Sequence, residues 1–271
     1  MKQKLLKQVR WLRWSLPSRG AIGFRWHVGR PNFGDDLNPF LWRALLGRGV
    51  RLVRRTQPHV LGMGSILEQA TERSLVAGSG FLRPPAPGLR LDGNVLAVRG
   101  ELSAASLGRP VLLGDPAVLL AMLFPRSRRP TTGLGVVPHV SEVEECLAKA
   151  PPGVKVIDVR RSPVEVVRRI ADCERIVSRS LHGLIVADAY EVPNVWLAPT
   201  SGMAGGEFKF HDYYSTTDRA ATPEAIEPQG WGSVDPSRFS VARFRFDRRN
   251  LLDGLREGIL SWVERSGRQP P

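Results

Sequence analysis

The sequence predicts an α/β protein made of two Rossmann-like halves. Between residues 21 and 197, short apolar runs alternate with helical patterns, which is typical of parallel sheets covered by helices. The alternation is interrupted at 125–132, where three arginines lie among prolines without an apolar period, so this segment is predicted to be a linker. Paired α/β units usually bind ligands beyond the carboxyl ends of their strands, and we therefore expect a cleft between the halves.

The elements of the first half follow from its apolar runs. Helix 37–46 has clear boundary signals, because Asp35 or Asp36 stands at its start, Pro39 in its first turn and Gly47 just past its end. The predicted elements are, in order, strand 21–28, helix 37–46, strands 59–61, 74–77 and 94–98, helix 101–107, strand 111–113 and helix 116–124.

The second half repeats the alternation. Helix 163–172 is predicted to start with Ser162 as its cap, Pro163 at its first position and Glu165 three residues after the cap. The predicted elements are strand 133–138, helix 142–150, strand 154–159, helix 163–172, strand 175–177, helix 181–191, strand 192–197, a loop-rich stretch over 199–249 and an amphipathic helix over 250–264. The predicted units are 1–20, 21–125, 126–215 and 216–271.

Composition and charge limit the function classes. The 271 residues are 42% hydrophobic, which argues against disorder, and no apolar run reaches the ~18 residues that a membrane-spanning helix needs. The net charge of +13 comes mainly from the chain ends, since residues 1–34 hold eight basic and no acidic residues, whereas 35–237 hold 23 basic and 22 acidic residues. A nucleic-acid-binding protein is expected to carry its surplus positive charge on a folded face. Because the surplus here lies at the chain ends, we expect no nucleic-acid partner.

Cysteine usage and the amino terminus predict a cytoplasmic protein. Cys146 and Cys173 both lie in segments that look helical and apolar, where cysteine behaves as a small buried residue. Lys7, Arg10 and Arg13 interrupt every apolar run that could form the core of a signal peptide.

The strand-to-helix junction at 178–183 is the strongest candidate site. A helix amino terminus offers unpaired N–H groups to phosphate or carboxylate, Arg179 could add a two-pronged donor, and His182 could exchange a proton near neutral pH. The plain alternatives are a packing or capping role for His182 and a solvated side chain for Arg179.

Two further junctions follow strands of the first half. At 32–39, the paired carboxylates Asp35 and Asp36 could act as a general base, a metal ligand or a helix cap, and capping explains only one of them. The Gly-rich turns 62–65 and 78–80 would let a backbone approach a ligand, but neither matches a dinucleotide or P-loop motif. The five histidines are scattered, so we expect no metal site.

Eight segments in collinear order resemble the polysaccharide pyruvyl transferase family, and most closely its succinoglycan-type ketal-pyruvate transferases. The resemblance covers roughly residues 25–215. The segments are NFGDDLNPFLW at 32–42, LGMGSIL at 61–67, VAGSG at 76–80, AVRGELSA at 97–104, GDPAVLL at 114–120, VPH at 137–139, SRSLHGLIVADAYEVP at 178–193 and FKFHDY at 208–213.

The resemblance implies a GT-B-like fold and a reaction. The enolpyruvyl unit of phosphoenolpyruvate would be transferred to two hydroxyls of one sugar, giving a cyclic ketal and phosphate, with phosphoenolpyruvate as co-substrate and no other cofactor. The acceptor would be a lipid-linked oligosaccharide or a polysaccharide. Much of the family has Arg where this chain has Ser180, and here Arg179 stands one position earlier.

The reaction needs fixed cations for the donor, an acid for its methylene carbon and a base for the sugar hydroxyl. We expect His182 to be the acid or phosphate partner, and Asp35 or Asp36 to be the base. For Arg99 the alternative is a salt bridge to Glu101. The remaining expected residues are Arg99, Arg179, Ser180, Gly183 and His139 for the donor, and Asn32, Lys209 and Glu207 for the acceptor.

Two other functions remain open at this point. A GT-B glycosyltransferase would use a nucleotide sugar, and Glu207 is the obvious carboxylate to hold its ribose. A non-catalytic carbohydrate-binding relative would be expected to lack the His or Asp at the main junctions, and both are present.

The unit 1–20 predicts a basic amphipathic helix. Leu5, Val9 and Leu12 share one face, and five basic residues lie between positions 2 and 13 without an opposing acid. Such a helix could lie on the anionic inner face of the cell membrane, or it could pack on the first half with its charges in solvent.

Overall fold

Two parallel sheets, one in each half, organise the fold. The protein is described by a computed structural model that covers residues 2–16, 19–89, 91, 93–126, 129–220 and 222–266. Residues 127 and 128 of the predicted linker lie outside the described residues, as do residues 1, 17 and 18 of the predicted first unit.

The first sheet has six parallel strands. They are β1 (Ile22–Arg25), β2 (Val50–Leu52), β3 (His59–Leu61), β4 (Ser74–Ser79), β5 (Asn94–Val98) and β6 (Leu112–Leu113), arranged in the order β2-β1-β3-β4-β5-β6. Five of these strands are predicted from the sequence, and β3 and β5 have exactly the expected bounds. The edge strand β2 was missed, because its three residues include Arg51 and carry too short an apolar pattern.

The second sheet has four parallel strands. They are β7 (Thr132–Val137), β8 (Val154–Val156), β9 (Cys173–Ser178) and β10 (Asn194–Trp196), in the order β10-β9-β7-β8. The predicted α/β class with two parallel-sheet halves is confirmed. Cys173 begins a strand and does not lie in a helix, which corrects the expectation, although both cysteines are buried free thiols as expected.

Helices cover both sheets. The α-helices are α1 (Lys2–Ser15), α2 (Phe33–Asp36), α3 (Asn38–Leu46), α4 (Glu101–Ala105), α5 (Leu120–Leu123), α6 (Val143–Lys149), α7 (Pro163–Ala171), α8 (Leu181–Ala189), α9 (Phe208–Tyr214) and α10 (Arg248–Ser266), and 3₁₀ turns lie at Leu67–Gln69, Pro116–Leu119, Pro228–Ser233 and Pro236–Arg238. The prediction of mostly loop over 199–249 is wrong at α9, whose aromatic residues Phe210, Tyr213 and Tyr214 are buried.

Two predicted caps are absent from the structure. Asn32 and Leu37 occupy the N-cap positions of α2 and α3, so neither Asp35 nor Asp36 caps a helix with its side chain. Ser162 stands at the N-cap of α7, but its hydroxyl makes no capping hydrogen bond. The two carboxylates are therefore left for other contacts.

The halves share one hydrophobic core. Leu184 and Ile185 of α8, in the second half, belong to the same buried cluster as Val118 and Leu119 of the first half. The carboxyl-terminal helix α10 contributes Leu255 to this cluster and packs against the first sheet. Burial of this contiguous apolar surface fixes the position of one half relative to the other.

A buried ion pair joins α9 to the first sheet. The Arg99 guanidinium, directly after β5, is fully buried and donates through Nε to Asp212 of α9 at 2.9 Å. Asp212 also accepts hydrogen bonds from the backbone N–H and the hydroxyl of Ser103, both at 2.7 Å. The partner of Arg99 is thus Asp212, and the alternative pairing with Glu101 is wrong.

Replacing Asp212 with Ala is expected to destabilise the fold strongly. The change leaves the Arg99 guanidinium buried without its counter-charge, which typically costs about 3–5 kcal/mol. As a matched control, Glu165→Gln removes the exposed pair with Arg169 and should cost less than about 1 kcal/mol. Denaturant unfolding of both variants measures the difference, and equal losses of unfolding free energy would contradict a structural role for the buried pair.

Candidate active site

The side chain of His182, in the second half, packs against residues of the first half. It occupies the second position of α8, immediately after the turn that follows β9. Its ring lies edge-on to Phe33, with 6.4 Å between ring centroids, and packs directly against the backbone of Gly34. A Cβ atom at position 34 would overlap the imidazole Nδ1, so glycine is required there for the ring to fit. The side chain is 12% exposed, which excludes a freely solvated histidine.

Asp115 faces His182 from the first half. The Asp115 Oδ1 atom accepts the N–H of Ala117 at 3.0 Å, while Oδ2 lies 4.0 Å from the Nε2 atom of His182. Both Oδ2 and Nε2 are buried without a hydrogen-bond partner among the described residues. Sequence reasoning missed Asp115, although the motif at 114–120 contains it. The signal available was a carboxylate directly before the Pro at the start of a helical turn, which is explained equally well by capping.

Burial controls the charge of this pair. It lowers the pKa of His182 to about 4, so the imidazole is neutral at neutral pH, and Arg99 and Lys209 act in the same direction while Asp35 opposes them. Burial raises the pKa of Asp115 to about 6. At neutral pH the pair therefore consists of a neutral imidazole and a mostly ionised carboxylate.

Of the two adjacent carboxylates at 35 and 36, Asp35 is the one that interacts electrostatically with His182. Its Oδ2 atom accepts a hydrogen bond from Asn32 Nδ2 at 3.0 Å. Burial raises its pKa, with His27 and His182 opposing the shift and Asp36 adding to it. A carboxylate with a raised pKa binds protons more readily, which suits a general base.

Asp36 points to a different partner. Its Oδ1 atom lies 2.5 Å from the Arg10 guanidinium of α1, and this pair is only slightly exposed on either side. Burial raises the pKa of Asp36, and Arg10 opposes that shift. The sequence left Asp35 and Asp36 as equal candidates for the base, and the structure distinguishes them by their neighbours.

Lys209 joins the cluster from α9. Burial lowers its pKa to about 8, Arg99 adds to the shift, and Asp35 opposes it. Lys209 was expected at the acceptor, but its electrostatic neighbours are Arg99, Asp35 and His182, which are the groups expected to act on the donor and the reacting hydroxyl. The ion pair of Arg99 with Asp212 on the same helix is what brings the lysine to this position.

Arg99 supplies buried positive charge, and most of its N–H groups already donate hydrogen bonds within the protein. Besides the bond to Asp212, its guanidinium donates to Ser65 Oγ at 2.8 Å and to the carbonyl of Phe81 at 2.6 Å. Gly80 makes room for this arrangement, because a Cβ atom there would overlap the guanidinium. The Gly-rich turn at 78–80 thus makes room for the Arg99 side chain, whereas the sequence suggested that it would let a ligand approach the backbone.

Arg179 and His139 lie on the second-half side of the cluster. Arg179 is buried, donates to Glu142 Oε2 at 3.0 Å and to the carbonyl of Ala198 at 2.8 Å, so the solvated alternative is wrong. His139 shares a 2.7 Å hydrogen bond with Ser141, and burial lowers its pKa, with Lys209 adding to the shift. His139 is therefore electrostatically linked to the cluster through Lys209.

The other expected residues have local partners. Ser180 caps α8 and accepts from the N–H of Gly183 at 3.4 Å, so that amide is not free to meet an anion in this arrangement. Asn32 is the hydrogen-bond donor to Asp35. Glu207 is exposed and pairs with His211 at 3.3 Å on the outer side of α9.

An apolar groove lies away from these groups. It has a volume of about 690 Å³, and its walls include Phe40, Leu123 and Val164 but none of the expected site residues. Among the described residues, no group of three or more His, Cys, Asp or Glu is arranged to hold a metal ion. The candidate site is thus the charged cluster of His182, Asp35, Asp115, Lys209 and Arg99.

Replacing Lys209 with Gln is expected to raise the pKa of His182. With a pKa of about 8, Lys209 is charged over the range in which the imidazole titrates, and its charge helps to lower the pKa of His182. The titration of the His182 ring protons, followed by NMR, measures the shift. Glu207→Gln is the matched control and should leave that titration unchanged. Identical His182 titrations in Lys209→Gln and the parent protein would show that the two groups are not coupled.

Comparison with known proteins identifies the family. The sequence profile of polysaccharide pyruvyl transferases matches residues 90–201, which contain Arg99, Asp115 and His182. The chain is 34% identical over 268 residues to the succinoglycan biosynthesis protein ExoV of Rhizobium meliloti (strain 1021), covering 91% of this chain and 82% of that protein. It is 26% identical to the uncharacterized protein L143 of Acanthamoeba polyphaga mimivirus, covering 73% and 75% of the two chains.

Among solved structures, the uncharacterized protein KP1_0663 of Klebsiella pneumoniae subsp. pneumoniae NTUH-K2044 superposes with a TM-score of 0.43 at 10% identity, covering 79% of this chain and 94% of that one. The family assignment rests on the sequence matches, which extend over both sheets and all the groups of the charged cluster. The chain belongs to the polysaccharide pyruvyl transferase family.

Proposed function

We propose that the protein transfers the enolpyruvyl unit of phosphoenolpyruvate onto two hydroxyls of one sugar in an exopolysaccharide precursor, forming a cyclic pyruvate ketal and phosphate. The observation that carries this proposal is the cluster of His182, Lys209 and Asp35, in which cationic and proton-transferring groups from both halves face one another. Membership of the pyruvyl transferase family and the similarity to a succinoglycan biosynthesis protein support the same reaction.

The cluster suits an anionic donor. Phosphoenolpyruvate carries a carboxylate and a phosphate, and Lys209 with the buried charge of Arg99 offers positive potential to both. His182 is neutral without a ligand, but a bound anion next to the imidazole would raise its pKa and favour protonation. Donor binding would therefore charge the acid that the reaction needs.

The proton transfers can be assigned to facing groups. His182 gives its proton to the methylene carbon of the donor, and the adjacent carbon becomes electrophilic. Asp35 takes the proton of the first sugar hydroxyl, whose oxygen bonds to that carbon. The second hydroxyl then displaces phosphate at the same carbon and closes the ketal, and its proton leaves with the phosphate. Asp115 lies behind His182 and favours its charged form.

The nucleotide-sugar alternative receives no support from the residue on which it depends. Glu207 is exposed, pairs with His211 and takes no part in the charged cluster. Binding of phosphoenolpyruvate or of nucleotide sugars, compared by thermal shift, separates the two functions.

We extend the proposal to a cytoplasmic reaction. Cys146 and Cys173 are buried free thiols, as is usual in a reducing compartment. In the part of the chain that the structure describes, no helix has the length and hydropathy to cross a bilayer.

His182→Ala is expected to abolish transfer without unfolding the protein. Loss of a general acid typically lowers the rate by about 10²–10⁴-fold. The assay incubates the protein with labelled phosphoenolpyruvate and a lipid-linked oligosaccharide fraction, and mass spectrometry detects the added ketal. His211→Ala is the matched control, since His211 is an exposed histidine on α9 outside the cluster.

Near-normal transfer by the His182 variant would contradict its proposed role. Absence of any labelled product with the parent protein, together with a thermal shift by a nucleotide sugar, would overturn the proposed reaction itself. Circular dichroism and melting curves of both variants exclude a folding defect.

The affinity for phosphoenolpyruvate is expected to fall as the pH rises above about 8. Burial lowers the pKa of Lys209 to about 8, so raising the pH through this value removes a positive charge that favours the anionic donor. Calorimetry should show binding roughly tenfold weaker at about pH 9 than at about pH 7. Lys209→Arg keeps its charge over this range, so its affinity should be nearly independent of pH. An equally steep loss in that variant would assign the titration to another group.

A further inference from the structure

The amino-terminal helix α1 presents an apolar stripe to solvent. Leu5, Val9 and Leu12 of α1, and Leu16 directly after it, recur at intervals of four, three and four residues, and each is more than half exposed. These four side chains, called the outer stripe below, make up almost half of the large apolar side chains that are strongly exposed in the described part of the protein. An apolar surface of this kind, confined to one helix face, is typical of a binding surface.

The exposure of the outer stripe is not due to a detached helix. Trp14 packs edge-on against Trp26 and Phe40, with ring centroids 6.0 Å and 6.4 Å apart, and Arg10 pairs with Asp36. Arg10 and Trp14 are four residues apart and therefore share one side of the helix, away from the outer stripe. The helix thus packs on the first half, as one sequence hypothesis expected, but it does so through its polar and aromatic side.

Charge indicates what can cover the outer stripe. Lys4, Lys7 and Arg13 are exposed on the same helix, and no acidic residue occurs in residues 1–34. A second copy of the protein would bring the same positive charges against them, so self-association through this face is disfavoured. A surface that is both apolar and negatively charged satisfies both features of the helix.

We propose that α1 docks the protein onto an anionic lipid surface through the outer stripe. The four apolar side chains enter the region between headgroups and acyl chains, while Lys4 and Arg13 remain with the negatively charged headgroups. The helix lies parallel to the membrane and remains packed on the protein through Trp14 and Arg10.

This arrangement places the candidate site next to the membrane, and this step rests on the proposed function. Asp36 contacts the inner side of α1 through Arg10, and Asp35 is its neighbour in the chain. A helix with its side chains is about 10 Å thick. The proposed base would therefore lie about one helix diameter from the lipid surface, within reach of a sugar carried on a membrane lipid.

The test is co-sedimentation with lipid vesicles, which requires no substrate. The full chain should bind vesicles of phosphatidylglycerol and phosphatidylcholine, and bind phosphatidylcholine vesicles far less. The triple variant Leu5→Gln, Val9→Gln, Leu12→Gln and the double variant Lys4→Gln, Arg13→Gln should each bind at least about tenfold more weakly. Leu147→Gln is the matched control, because Leu147 is an exposed apolar residue on α6, in the second half, and its loss should not change vesicle binding.

Three outcomes would overturn the proposal. The triple variant could bind anionic vesicles as well as the parent protein does, or the parent protein could bind neutral and anionic vesicles equally. The third is a dimer in sedimentation velocity that the triple variant converts to a monomer, which would assign the stripe to a contact between copies. Melting curves of the variants confirm that α1 remains packed, and transfer assays on a soluble acceptor distinguish failure of docking from failure of the proposed reaction.

Discussion

The buried ion pair between Arg99 and Asp212 is the interaction on which the candidate site depends. It joins the end of β5 in the first sheet to α9, a helix that follows the second sheet in the chain. A buried charge pair is stable only when its remaining hydrogen-bonding capacity is used, and Ser103 and Ser65 serve that purpose. Because α9 is fixed in this way, Lys209 is placed beside Asp35 and His182 with its pKa lowered.

The site itself is divided between the halves. His182 belongs to α8 in the second half, whereas Asp35 and Asp115 belong to the first, and the shared core between α8 and the turn at Pro116–Leu119 holds them in register. The imidazole fits only because Gly34 has no side chain. Burial of all three groups then disfavours their charged forms, so that the charge of a bound donor can decide where the protons lie.

The helix α1 connects this chemistry to the surface of the protein. Its inner side uses Arg10 to neutralise Asp36, whereas the neighbouring Asp35 interacts electrostatically with His182. Its outer side presents the exposed apolar side chains of Leu5, Val9 and Leu12 to solvent. One short helix thus contributes to the distinction between two adjacent carboxylates and to the proposed contact with lipid.

Local sequence determined the α/β alternation, because strands such as β3 and β5 contain short apolar runs bounded by polar and turn residues. The ordered motifs were sufficient to indicate the family. It could not determine β2, which is only three residues long with an arginine at its centre, or α9, which is an aromatic segment next to glycines. Both become regular only through packing. It also left Asp35 and Asp36 equivalent, left open whether Arg99 pairs with Glu101 and passed over Asp115. These pairings depend on which side chains meet in the folded protein. The paired atoms are 2.5 to 4.0 Å apart, although their residues are more than twenty positions apart in the chain. Charge pairing and desolvation act through space, and for that reason only the tertiary structure decided them.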